Sequence, residues 1–482
     1  MTKTLAKLTE KSSYRIKIKK GLDLQIDGAP ELPVQQADVR RVALLGDDYP
    51  MLKPSIVVSV GDTVKIGQVL FFDREHSEIK FTSPGAGQVV EINRGEKRRF
   101  ESIVIALSEQ DAKRSADSEV VFAKYDQNKL KLLSKNEIIK NLLISGLWTS
   151  LRNRPFGTIA DPSSDTLNQP NSIFITAVDS NPHSVPPSMF IDEHKEDFET
   201  GAYVISKLTS GKTWLVKREG MKLPEFSMRL FENSDNRLVH VDVSGPHPSG
   251  NVGTHIHFLD PVGPHKNVWY INYQDVIAVG HLFIAGKLLT ERLVSVSGPA
   301  CLNSAFVKTR LGASIDDLVA GRKKSGEQVG EIRQVSGSLM SGSIAAGSMA
   351  YLGRYHHQIS LIEEGRKRKL FGWLSFGFNK FSAKNIYVSN FIKPKSYEFN
   401  TSTNGSSRAM VPIEIYEKVM PLDIHPVFLL RSILMGDIEH SEELGVLELE
   451  EEDLALCTFV SPGKDDFGYL LRTMLNRIRK GE

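Results

Sequence analysis

Apolar positions change their period several times along this chain, and each change marks an expected element. Between 57 and 105, Val, Ile and Phe fall in short runs punctuated by glycine, the pattern of small strands in a barrel or sandwich. Strands are expected to begin near Tyr14. From about 121 the period lengthens: Ile138, Ile139, Leu142, Leu143 and Leu147 fit a helix over 136–148. Compact apolar runs at 172–178 and 214–216 read as strands. The segments 198–208 and 276–289 read as helices, the second despite Gly280 and Gly286. Such alternation predicts an α/β domain over 121–290. Beyond it, 293–299 and 332–337 are strand-like and flank a short helix that Ser314 can cap. Asp316 and Asp317 then lie in its first turn, against the positive helix end. The last helix is the clearest: Phe467, Leu470, Leu471, Met474, Leu475 and Ile478 make one stripe. Arg472, Arg477, Arg479 and Lys480 lie mostly off it.

Two runs in the first unit, 60–70 and 81–92, carry turn signals at Gly61-Asp62 and Pro84-Gly85. They resemble the interlocking halves of the lipoyl- and biotin-carrier sandwich. Where such a carrier presents its modified lysine, this chain has His76, and Lys80 sits too close to the next strand. The fold is expected without the carrier chemistry. The stretch 291–355 resembles the small β-grasp module of the SLBB type, which binds soluble ligands in many bacterial proteins. The expected fold is therefore multidomain, α/β and α+β. A basic N-terminal arm and a lipoyl-carrier-like β barrel-sandwich occupy 1–120, and the α/β domain 121–290. The β-grasp domain occupies 291–355, and a mainly helical domain 356–482.

Composition narrows the function. With 482 residues the chain is long enough for three or four domains. Its 60 Lys plus Arg against 58 Asp plus Glu leave +2, which argues against a nucleic-acid partner. Cys301 and Cys457 alone cannot hold an iron–sulfur cluster or an all-cysteine zinc site, and they suggest a reducing compartment. No apolar stretch is long enough to span a bilayer, and the N-terminus lacks the apolar core of a signal peptide. Charge is nonetheless uneven. Residues 1–20 carry seven cations and one acid, read as an exposed arm or as a contact for a partner or anionic lipid. Residues 437–453 carry nine acids and no Lys or Arg, read as a solvated face or as a dock for a basic surface. The cations at 366–369 precede Leu370-Phe371-Gly372-Trp373-Leu374, either a charged turn or a membrane-surface contact.

Catalytic motifs are scarce. The chain lacks a Gly-x-Gly-x-x-Gly loop after a strand, a Walker A loop, His-Glu-x-x-His, Cys-x-x-Cys and a Gly-x-Ser-x-Gly elbow. It also lacks a Ser-Gly-Ala-Thr site for covalent flavin phosphate. Histidine supplies the one dense constellation: His240, His247, His255, His257 and His265, within a Gly/Pro-rich stretch. If 255–257 is extended, the His255 and His257 rings point to one side, about 6–7 Å apart. Three readings stay open. The imidazoles can hold the backbone of a connection. They can meet a ligand or partner, donating to a quinone carbonyl or relaying a proton. They can also join Asp242 or Asp260 on a metal. Separately, Trp148, Leu151 and Phe156 with Arg152 and Arg154 suit either a pocket for a flat, partly polar ring or a packed helix end.

Several segments, in order, resemble one family of components of the bacterial sodium-translocating NADH:quinone reductases, the NqrA family. They are Ile16 through Leu24, Ser145-Gly146-Leu147-Trp148, Arg154-Pro155-Phe156 and Thr254-His255-Ile256-His257-Phe258-Leu259. Ser336-Gly337-Ser338, Tyr351-Leu352-Gly353-Arg354-Tyr355-His356, Leu370-Phe371-Gly372-Trp373, Thr403-Asn404-Gly405-Ser406 and Glu451 through Val460 complete the set. The resemblance implies a peripheral subunit on the cytoplasmic side of the bacterial inner membrane, with five partner subunits. Its neighbour would be the flavin-bearing membrane subunit. The complex passes electrons from NADH to ubiquinone and exports Na⁺. FAD, FMN, riboflavin and iron–sulfur centres would belong to other subunits, leaving none in this chain. Related flavin-binding proteins use a Gly-rich nucleotide loop, and Rnf relatives add cysteine repeats. Here Trp148-Thr149-Ser150, Arg152 and Arg154 occupy the corresponding region, and Cys457 stands alone. The resemblance therefore points to the ubiquinone end, with Trp148, Arg152, Phe156, His255 and His257 as candidate quinone contacts. A purely structural role in assembly is the alternative.

Overall fold

A computed structural model describes residues 7–9, 13–109, 111, 116–163, 169–224, 230, 238–326, 329–366, 376–384, 386–392 and 394–481. The Leu370–Leu374 segment weighed above lies outside them.

The central sheet has eight strands. In spatial order they are Lys7–Thr9, Ser13–Lys17, Leu238–Ser244, Lys212–Arg218, Ser172–Ala177, Val268–Asn272, Arg152–Arg154 and Thr158–Ile159. Five consecutive strands, from Ser13–Lys17 to Val268–Asn272, run parallel, and antiparallel pairs close both edges. Parallel strands are covered on both faces, which is why 172–178 reads as a nearly unbroken apolar run. One face carries the helices Lys195–Ser206 and Tyr273–Ala285. Gly201 and Gly280 permit their contact: a Cβ on Gly201 would lie 1.9 Å from the Val276 carbonyl oxygen, and one on Gly280 1.7 Å from that of Asp197. The glycines that weaken the helix signal are what let the two helices meet. Val252–Leu259 packs on the opposite face.

The barrel-sandwich sets a four-stranded sheet (Arg41–Leu45, Phe100–Leu107, Gly87–Arg94, Thr63–Val64) against a three-stranded one (Pro54–Ile56, Val69–Asp73, Lys80–Thr82). Phe71 stacks on Phe81 at 4.4 Å and meets Phe100 edge-on inside. His76 sits in the turn between Val69–Asp73 and Lys80–Thr82, beside Glu78. The β-grasp sheet runs Ser343–Ile344, Ile332–Ser336, Gln358–Glu363, Glu291–Ser297, Ala305–Arg310, Glu31–Gln36. Its short helix, Ile315–Leu318, is capped by Ser314, whose hydroxyl accepts from the Asp317 N–H. The C-terminal unit has its own core, built from helices that include Ile415–Val419, Pro426–Met435, Ala455–Val460 and Phe467–Lys480. This is the multidomain fold the sequence implies.

Three expectations change. From residue 13 the N-terminal segment is not a free arm: Ser13–Lys17 pairs in parallel with Leu238–Ser244, with Ile16 and Ile18 buried, and Glu31–Gln36 forms the edge of the β-grasp sheet. Lys and Arg at alternate positions disguise it, because only the face that carries Ile16 and Ile18 is buried. The β-grasp sheet also continues past 355, since Gln358–Glu363 lies at its centre between Ile332–Ser336 and Glu291–Ser297. Finally, 255–257 is helical, so His255 and His257 diverge instead of sharing a strand face.

Candidate functional site

Two buried ionic networks join the units. The first lies between the α/β domain and the C-terminal unit. Arg154 is fully buried on the strand Arg152–Arg154, next to the sheet's edge. Its Nη1 donates to Asp453 (2.8 Å) and to the Glu448 carbonyl (2.6 Å), and its Nε lies 2.9 Å from Glu450. Arg152 reaches the same Glu450 (3.2 Å) while stacking between the rings of Tyr270 and Tyr355. The Tyr270 hydroxyl donates to Glu450 at 2.7 Å. Burial alone would raise the Glu450 carboxyl, but Arg154 and Arg152 outweigh it and hold the group below the usual range. Gly253 lets the 252–259 helix approach: a Cβ there would meet Asp453 at 2.4 Å. Arg472 donates to Glu451 through two nitrogens and to the Phe156 carbonyl. The end of the acidic 437–453 stretch is therefore no solvated face. It docks onto a basic surface, and that surface belongs to this same chain.

The second network lies where barrel, α/β domain and β-grasp domain meet. Asp275, fully buried at the start of its helix, accepts from Arg292 (2.7 Å) and from Arg354 (2.9 and 3.0 Å). Burial opposes its charge, yet the two guanidiniums keep its carboxyl below the ordinary value. The Arg354 backbone N–H donates to Asp48 of the barrel at 2.8 Å. Burial dominates at Asp48 and pushes it up to about 7. Tyr355 donates to the Thr149 carbonyl at 2.7 Å, and desolvation holds His356 near pH 4 and His357 near 3, so both rings are neutral. Asp48, Tyr49, Phe81, Leu147, Thr149, Leu352 and Arg354 are among the residues lining a narrow cleft here.

The five expected quinone contacts are dispersed. Trp148 is wholly buried; its Nε1 donates to the Ala160 carbonyl at 2.7 Å and its ring meets Trp269 edge-on. His255 is wholly buried too, its Nε2 bonded to the Ser249 carbonyl at 2.8 Å. Burial pushes it down to about 4, so this neutral ring donates through Nε2. His257 sits between Glu448 (2.7 Å) and the Asp423 N–H (2.9 Å). Phe156, at φ +83°, lies beneath the Arg479 guanidinium. Arg152 alone is linked to the cleft, through Tyr355. His255 thus braces the Gly/Pro-rich connection, as in the first of the three readings, while His257 ties its helix to the C-terminal unit. Sequence alone does not point to Asp48 or Asp275. The sole hint is the resemblance of 351–356, which supplies Arg354 but says nothing of its acids.

Among the described residues one further set of metal-capable side chains converges, Glu193, His194 and Glu291. Lys308 already binds Glu193 at 2.6 Å, and Asp197 and Glu291 raise His194 to about 9. That is the charge state of an ion-pair cluster.

A barrel-sandwich, a mainly parallel α/β sheet without the Gly-x-Gly-x-x-Gly loop and a β-grasp module, joined by buried ion pairs, define a class of multidomain scaffold. Residues 16–108 match the family model described as the NqrA N-terminal barrel-sandwich hybrid domain. Residues 133–288 match the NqrA second alpha/beta domain, and residues 293–347 the NQRA C-terminal domain. Over 466 residues the chain is 47% identical to the NqrA component of the Na(+)-translocating NADH-quinone reductase of Pseudomonas aeruginosa, covering 96% of this chain and 99% of that one. Its counterpart from Hahella chejuensis is also 47% identical, over 468 residues, with the same coverage. That of Alcanivorax borkumensis is 45% identical over 464 residues, again covering 96% and 99%. The chain belongs to the NqrA family of the Na(+)-translocating NADH-quinone reductases. Among solved structures, an NAD+-reducing [NiFe]-hydrogenase in the H2-reduced state aligns over 74% of this chain and 61% of its own, at 10% identity and a TM-score of 0.36.

Proposed function

We propose that this chain is a peripheral, cytoplasmic-face member of a six-subunit sodium-translocating NADH:ubiquinone reductase. In this reading it sits beside the flavin-bearing membrane subunit, holds no redox cofactor itself, and shapes the ubiquinone end of the electron path. The observation that carries it is the family relationship, which covers 96% of the chain. No helix among the described residues is long and apolar enough to cross a membrane, as suits a component attached from the side.

The three-domain cleft is the chemical support. Two-electron reduction of a quinone takes up two protons, so the site needs an apolar wall, a polar anchor and an acid that still holds its proton near neutrality. Tyr49, Phe81 and Leu352 supply the wall, Arg354 the anchor, and Asp48, at about 7, the acid. Arg152 stays in this reading as the cation stacked on Tyr355. Trp148 and His255, sealed in the core, serve as supports. The cleft is narrow in this chain, so the flavin-bearing neighbour completes the site.

The test is quinone kinetics in the assembled complex with Asp48→Asn. Expected is a fall in quinone turnover of about a hundredfold or more, the scale of a lost general acid, with NADH oxidation by an artificial acceptor intact. Unchanged quinone kinetics in a fully assembled complex would remove the cleft. The structural alternative, favoured by the buried ionic seam around Arg154, would then stand.

A further inference from the structure

The stretch from 365 to 397 differs in charge from everything around it. It carries eight Lys or Arg and no Asp or Glu, together with five phenylalanines and Trp373. It links the last strand of the β-grasp sheet to the C-terminal unit, and its described parts are 365–366, 376–384, 386–392 and 394–397.

Its inner side is anchored. The Phe381 ring meets Tyr397 at 5.4 Å, Phe399 at 5.7 Å and Phe459 of the C-terminal unit at 5.8 Å. Ser389 donates to the Lys380 carbonyl, tying the ends of the turn together. The outer side is apolar and uncovered: Phe391 is 80% exposed, Phe376 74%, and Phe378, Ile386 and Ile392 each more than half. Lys384 and Lys395 stand exposed among them. Isolated surface leucines need no explanation, but several large apolar side chains on one short segment mark a contact surface.

Charge decides what covers it. Protein interfaces deplete lysine at their centres, whereas aromatic rings interleaved with lysines suit the headgroup layer of an anionic bilayer. There the rings sit at the acyl boundary while the ammonium groups meet lipid phosphate. The acids that flank the stretch in sequence, Glu364 and Glu398, lie at its margins, and Glu364 is paired with Arg333 at 2.6 Å. We propose that the 376–395 segment is a membrane-surface contact that inserts its outward phenylalanines among anionic phospholipid headgroups. This surface is separate from the quinone cleft and does not depend on it.

The experiment is co-sedimentation of the purified full-length chain with unilamellar vesicles of phosphatidylcholine, with or without one-third phosphatidylglycerol, at low and high salt. Expected is about tenfold stronger partitioning onto the anionic vesicles, falling with salt. Two double variants, F376S with F391S and K384E with K395E, are expected to lower it about tenfold each. Circular dichroism should stay unchanged, because all four side chains face solvent. Equal partitioning onto neutral and anionic vesicles, or variants that partition like the parent, would overturn the proposal. So would variants that bind vesicles normally yet fail to co-purify with the membrane subunits, which would make the surface a protein dock.

Discussion

Asp48 and Glu450 are both carboxyls beside arginine, and they respond oppositely to burial. Glu450 has two guanidiniums within contact distance and stays ionised. Asp48 receives a backbone N–H from Arg354, whose guanidinium is already engaged by Asp275, so desolvation wins. Its folded pKa, about 7, lies above that of a carboxyl in the unfolded chain. The native state therefore binds the extra proton between about pH 4 and 7, and the stability this group contributes is lost as pH rises through that window. Asp48→Asn keeps the acceptor oxygen and removes the titration. The variant should be relatively more stable at pH 8 than at pH 5, by roughly 2–4 °C in Tm. A difference in Tm that does not change with pH would show that Asp48 is ionised throughout. Nothing in the residues around 48 announces this acid, because its environment is assembled from three domains.

At the scale of elements, the helices are the most legible part of the chain. Lys195–Ser206, Tyr273–Ala285 and Phe467–Lys480 each lie close to the segment their spacing marks, since an amphipathic face needs only local sequence to be seen. The two interhelical glycines are legible as oddities but not as causes. Gly280→Ala should push the helix pair apart and cost roughly 1–3 kcal/mol or more, because the added carbon meets backbone. Gly468→Ala, in the last helix, meets only ordinary contacts and should stabilise by ~0.5–1 kcal/mol. Urea unfolding of the two variants checks the pair; the same sign for both would refute the close-packing argument. The strand Ser13–Lys17 is legible as a strand but its destination is not, since its partner, Leu238–Ser244, lies far along the chain.

At the scale of the molecule, the units are joined by charge as well as by apolar contact. Arg154 and Asp453 are 299 residues apart in sequence, so no local pattern can pair them; nine acids without a Lys or Arg among them read equally well as a solvated face. Removing the guanidinium strands two buried carboxylates. Arg154→Ala should cost roughly 3–5 kcal/mol and free the C-terminal unit for early cleavage in limited proteolysis, whereas Arg152→Lys should cost about 1 kcal/mol or less. Equal protease resistance in both variants would mean that the seam is held by its apolar contacts alone. The N-terminal strands carry a consequence of another kind. The segment 13–36 is synthesised well before the strands it pairs with in two sheets, around 238–244 and 305–310. At ordinary elongation rates that is roughly ten seconds to a minute of synthesis during which Ser13–Lys17 has only the short Lys7–Thr9 strand beside it and Glu31–Gln36 lacks its sheet partner. The nascent chain must be kept from pairing elsewhere for that long, and folding closes only when residues 13–36 are brought back against strands made some two hundred residues later.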